Sequence, residues 1–192
     1  MNKIMTQVSI AITLIFSYPL AWSHGTHEHG NAKIDIGVEN NTASIHLEVP
    51  AISIYGFEHE AKSENDKKTV EASVNKIRDN ISQMVKLDSN LGCTFTTTKI
   101  DPFVKDDDED NDENKLKSAQ NTSNVKNDKK EAEHGEFKAD FSVKCTKNIS
   151  GTKITFGFKK YFPSIHKINV QGISSSTQSA AKISNDKGFI QL

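Results

Sequence analysis

The chain has 192 residues, with 24 lysines and arginines against 25 aspartates and glutamates, a formal charge of −1 and two cysteines. Such a balance offers no basic footprint for nucleic acid, so that class of partner is excluded. The length allows one domain with a substantial core.

Lys3 precedes an apolar stretch from Val8 to Leu20, followed by Ala21-Trp22-Ser23, the small-x-small pattern of a signal-peptidase site. Residues 1–23 are therefore expected to be a signal peptide, placing the mature chain, from His24, outside the cytoplasm. The stretch is too short for a spanning helix and no second run approaches membrane length, so no stable membrane insertion is expected. At the processed front end stands His24-Gly25-Thr26-His27-Glu28-His29-Gly30. In an extended chain His27 and His29 project to one side and form a pincer for a metal.

From Ala32 to Val49 apolar and polar residues alternate strictly on either side of Asn40-Asn41, a two-residue turn signature that predicts a β-hairpin. That register pairs Val38 with Ala43, Ile36 with Ile45 and Ile34 with Leu47. On the opposite face it pairs Asp35 with His46 and Lys33 with Glu48. His46 is accordingly read as a partly exposed histidine beside a carboxylate rather than a ligand.

Pro50 ends the second strand, and Ile52 to His59 reads as a short apolar loop finishing in Glu58 and His59. A helix is predicted from about Asp66 to Leu87, with Val70, Val74, Ile77, Ile81, Met84 and Val85 at helical spacing as a core-facing stripe. Cys93 to Ile100 has the alternation of a strand. Asp106 to Glu113 is then almost wholly acidic, and asparagine, lysine and serine dominate up to Lys130. Residues 105–133 are expected to form a disordered insertion, because such a composition buries too little apolar surface to offset the entropy of ordering. The acidic run lacks the glycine turn and ordered carboxylate spacing of a calcium loop.

After His134-Gly135, alternation resumes from Phe137 to Cys145 and again at Ile154, Phe156 and Phe158, which predicts a second hairpin. Ile168 to Val170 forms another short strand, and Gly188 to Leu192 closes the sheet. The expected architecture is α+β, antiparallel sheet from β-hairpins packed with one long helix, and residues 24–192 make a single metal-binding domain. An even cysteine pair in an exported chain predicts a disulfide between Cys93 and Cys145, the alternative being two buried free thiols.

Zinc takes neutral imidazole and carboxylate at tetrahedral positions, and His24, His27 and His29, joined by His59, Glu58 or His134, supply such a set. Copper competes: a free amine on His24, or a histidine third from the terminus after cleavage at Ala21, suits a square-planar site in a copper chaperone or an oxidative enzyme. No helix-borne H-E-x-x-H and no nucleophile elbow occurs, so an enzyme is not expected. His166 reads as a plain strand or loop histidine. Since only the deprotonated imidazole ligates, zinc affinity should fall as the pH drops through about 6.5.

Taken in order, His24 to Gly30 before a hairpin, Pro50-Ala51 followed by Gly56-Phe57-Glu58-His59, the two cysteines, His134-Gly135-Glu136-Phe137, Phe162-Pro163 and Ile168-Asn169-Val170-Gln171 resemble the ZrgA-type periplasmic zinc-binding proteins of Gram-negative bacteria. The resemblance implies Zn²⁺ binding in support of zinc uptake, as a carrier or reservoir beside an ABC importer and its zinc solute-binding protein. It carries ligand candidacy onto His24, His27, His29, His59 and His134, with Glu58 beside them. Members often carry a histidine-rich insertion, whereas residues 105–133 here hold no histidine. Buffering of several ions by that loop is therefore not expected.

Overall fold

The computed structural model describes residues 29–105, 134–184 and 188–192. The expected signal peptide, His24, His27 and all of the expected insertion but Lys105 lie outside the described residues.

Strict alternation around Asn40-Asn41 produces strands β1 (Asn31–Glu39) and β2 (Thr42–Pro50), paired antiparallel in the expected register, including Asp35 opposite His46 and Lys33 opposite Glu48. Asn40 takes the left-handed backbone that this turn needs, at φ 53°. Pro50 caps a single helical turn, α1 (Ala51–Tyr55), which ends on Gly56 in the left-handed conformation at φ 84°. The segment expected as a loop thus begins as helix: every residue of that turn but Ile52 is buried, so it shows no amphipathic period.

Helix α2 (Glu64–Met84) starts at Ser63, whose side chain accepts from the Asp66 N–H while the Asp66 carboxylate accepts from the Ser63 N–H. Its stripe of Val70, Val74, Ile77, Ile81 and Met84 joins the common core. The expected continuation to Leu87 is corrected, since Val85–Lys86 leaves the helix as a short strand, β3, and pairs elsewhere.

The remaining strands are β4 (Thr94–Lys105), β5 (Gly135–Lys144), β6 (Lys153–Phe156), β7 (Lys167–Ile173), β8 (Gln178–Ile183) and β9 (Phe189–Gln191). Six of the nine form one sheet in the order β4-β5-β2-β1-β7-β8, and β3-β6-β9 form a second. All pairings are antiparallel except β1 with β7, which makes the large sheet mixed rather than wholly antiparallel. The expected hairpin of β5 with the Ile154 segment does not form, because β5 already has β2 and β4 on its two edges. β6 pairs instead with β3 and β9, so the carboxy-terminal strand completes the small sheet and not the large one. β8 pairs with β7 at the far edge of the large sheet.

One face of the large sheet supplies Ile34, Ile36, Leu47, Val49, Phe137, Phe141 and Val170 to a core shared with α2 and the small sheet. The other face is polar, and its register alternates charge. Asp101, Lys138, Glu48 and Lys33 lie in one row, and Asp140, His46 and Asp35 in the next. Glu48 accepts from Lys33 at 3.3 Å and lies 3.5 Å from Lys138. The Cys93–Cys145 disulfide joins the residue before β4 to the residue after β5. Among the described residues no helix is long and apolar enough to cross a membrane.

Candidate metal centre

Strand order brings together residues that are far apart in the chain. β1 and β5 flank β2 and both run antiparallel to it, so the starts of β1 and β5 lie beside the end of β2. His29 stands two residues before β1 and His134 one residue before β5. Glu58 follows β2 after the α1 turn. β7 runs parallel to β1, which puts His166, just before β7, at the same end of the sheet.

At this end the Glu58 carboxylate is shared by two imidazoles. Its Oε1 lies 2.9 Å from His29 Nδ1 and its Oε2 lies 3.0 Å from His134 Nδ1. The two rings are 6.2 Å apart between centroids. Glu58 is the more enclosed partner, with 21% of its side chain exposed against 61% for His29 and 47% for His134. Each ring therefore keeps an open side toward solvent while the carboxylate sits behind.

Three local devices hold these groups. Gly30, at φ +83°, turns the chain sharply after His29, and its N–H donates to the buried Ser53 hydroxyl at 3.1 Å. The Gly30 carbonyl accepts from the N–H groups of His166 and Lys167 at 2.8 and 3.0 Å. A β-carbon at Gly30 would lie 2.7 Å from the His166 ring and 2.9 Å from the Ser164 carbonyl, so the turn requires glycine. On the second side, the Phe103 ring packs where a Gly135 side chain would project, which fixes the start of β5 next to His134. On the third, Phe57 stacks on Tyr55 at 5.7 Å, and the Tyr55 hydroxyl donates to the Pro102 carbonyl at 2.9 Å. Burial pushes that phenol well above its ordinary pKa, so it stays a neutral donor.

His59 takes another direction. Its ring stacks on Phe57 at 4.8 Å and its Nδ1 lies 3.0 Å from the Glu60 carbonyl. Neighbouring residues of an extended segment point apart, and here Glu58 meets the two histidines while His59 rests on the aromatic stack. His24 and His27 lie outside the described residues. His166 reaches this end through its backbone bond to Gly30. Gly30 closes the histidine motif of the sequence, but Ser53 carries no motif of its own; a lone serine between Ile52 and Ile54 in an apolar stretch is its one signal.

His46 is a partly exposed histidine beside carboxylates, as expected, but they are Asp140 and Glu48 and not the Asp35 opposite it, which pairs with Lys33. Its Nδ1 lies 2.6 Å from Asp140 Oδ1 and its Nε2 lies 3.1 Å from Glu48 Oε1. Burial disfavours the charged ring, but the hydrogen bonds and charges of Asp140 and Glu48 outweigh it and raise the pKa above 6.5. Among the described residues, no group of three or more His, Cys, Asp or Glu side chains surrounds a common point able to hold a metal ion. His29, Glu58 and His134 are linked in pairs through the carboxylate.

The sequence matches the model of the ZrgA family zinc uptake protein over residues 26–192. The chain belongs to that family. Membership gives this ZrgA-family chain a role in zinc uptake, and the matched region includes His27, His29, Glu58, His59 and His134. No curated protein matches the sequence.

Proposed function

We propose that this ZrgA-family protein is a non-enzymatic zinc carrier of the periplasm, which captures Zn²⁺ through histidines at the β1/β5 end of the sheet and passes it toward an ABC importer. The observation that carries the reading is the convergence of His29 and His134 on Glu58. Imidazole is a donor type zinc favours, and Gly30, Ser53 and Phe103 tie the backbone beside His29 and His134 to the sheet. His24 and His27, two to five residues before His29, are the donors that would complete four-coordination.

Half-exposed rings suit a cargo that must be released, in contrast to the closed cysteine-rich cages of structural zinc. The signal-peptide pattern of residues 1–23 supports periplasmic delivery. Zinc titration of the mature chain, produced without a histidine tag, tests the reading. The expected result is one saturable site tighter than about 10 μM that is lost in a His29→Ala/His134→Ala variant. Zinc binding unaltered by that double substitution would reject the assignment.

A further inference from the structure

We infer that Glu58 is a positioning residue and not a zinc ligand: one carboxylate fixes both His29 and His134 so that each presents Nε2 to the metal. This rests on the zinc-site reading above and specifies the role of its carboxylate.

The chemistry follows from which ring atoms are engaged. Both contacts to Glu58 are made by Nδ1, one to each carboxylate oxygen. An ionised carboxylate only accepts hydrogen bonds, so each Nδ1 carries the hydrogen and each neutral ring has its lone pair on Nε2. That nitrogen is the one free to ligate.

The distances agree. At 2.9 and 3.0 Å the nitrogen and oxygen atoms are spaced for N–H···O hydrogen bonds. Two donors sharing a tetrahedral zinc, each about 2.0–2.1 Å from it, would stand roughly 3.4 Å apart. These contacts are hydrogen bonds already made, shorter than that ideal ligand–ligand spacing. Metal-bound histidines commonly donate their second ring N–H to a carboxylate, which sets tautomer and ring orientation. Here a single residue does this for two rings from strands on opposite sides of β2.

The support behind Glu58 fits that role. Phe57 is held on Tyr55, Tyr55 is hydrogen-bonded to Pro102, and Gly56, in the left-handed conformation, ends the α1 turn two residues before Glu58. The carboxylate is thus fixed before any ion arrives, and it is less exposed than either ring.

Two-bond ¹H–¹⁵N correlation spectra of the histidine rings, recorded on the full mature chain with and without one equivalent of Zn²⁺, decide the matter. The expected result is zinc coordination at Nε2 of His29 and His134 with Nδ1 still protonated. Glu58→Gln should then weaken zinc binding about 10–100-fold while Nε2 coordination persists at saturating zinc. Coordination through Nδ1 of either ring, or an unchanged affinity in Glu58→Gln, would overturn the inference and leave the zinc site standing. Zinc binding that moves neither ring's resonances would instead reject the site itself.

Discussion

Removing the Cys93–Cys145 disulfide should destabilise the fold without weakening zinc capture. The bridge spans 52 residues of chain, and that span includes the long segment between β4 and β5. In the chain-entropy account a closed loop of this length restricts the unfolded ensemble by about 4 kcal/mol. For a domain of this size that corresponds to a melting temperature lower by roughly 8–16 °C. Cys93→Ala/Cys145→Ala avoids leaving a free thiol, and urea unfolding of both proteins gives the difference. The slope against urea should rise in the variant, because an unbridged unfolded chain exposes more surface. β5, Gly135–Lys144, lies between His134 and Cys145, so the two are roughly 36 Å apart along the strand. Zinc affinity in the folded variant should therefore equal that of the parent. A loss below about 1 kcal/mol would refute the loop-entropy reasoning, and a parallel loss of zinc affinity would refute the independence of the two ends of β5.

Further expectations concern the site's supports and the polar face. Ser53→Ala leaves the Gly30 N–H without its partner at a buried position, so unfolding free energy should drop by about 1–3 kcal/mol, with zinc affinity falling as His29 loses its anchor. Gly30→Ala should cost a similar amount, about 1–3 kcal/mol, since it forces a β-carbon against Ser164 at positive φ; calorimetry with and without zinc reads both variants. His46 has a raised pKa in the folded state, so its contribution to stability is complete below about pH 6.5 and is lost as pH rises through the raised value. Urea midpoints measured between about pH 6 and pH 8 should therefore fall more steeply in the parent than in His46→Gln, and equal slopes would contradict this. Zinc stoichiometry in His46→Ala should match the parent by titration, because the ring lies outside the proposed centre.

The elements legible in the sequence are those whose burial is one-sided. β1, β2 and β5 each expose alternate residues to solvent, so the alternation was plain and the β1–β2 register could be read to the residue. Where contrast was weak the reading failed. β8 is an edge strand of serine, alanine and lysine whose only fully buried position is Ile183, and α1 is buried on nearly every side. Alternation also marks a segment as a strand without saying which neighbour it takes. Ile154 to Phe156 was therefore paired with β5, although both edges of β5 are filled and these residues belong to the small sheet.

The candidate site was legible by residue type but not by geometry. Histidine–glycine pairs precede β1 and β5, yet nothing local says that these strands share β2 as a neighbour and so begin side by side. Sheet position also separates histidines that look alike in sequence. His46 lies within a strand, where cross-strand register delivers Asp140 and Glu48 to its two nitrogens and Lys33 and Lys138 lie close to Glu48. A metal there would have to displace a hydrogen bond already made and compete with resident cations. His29 and His134 lie just beyond the strand starts, where the ladder no longer supplies such neighbours, and among the described residues one carboxylate meets each at a single nitrogen. An imidazole engaged on one side keeps a lone pair to offer, whereas one engaged on both sides serves the sheet.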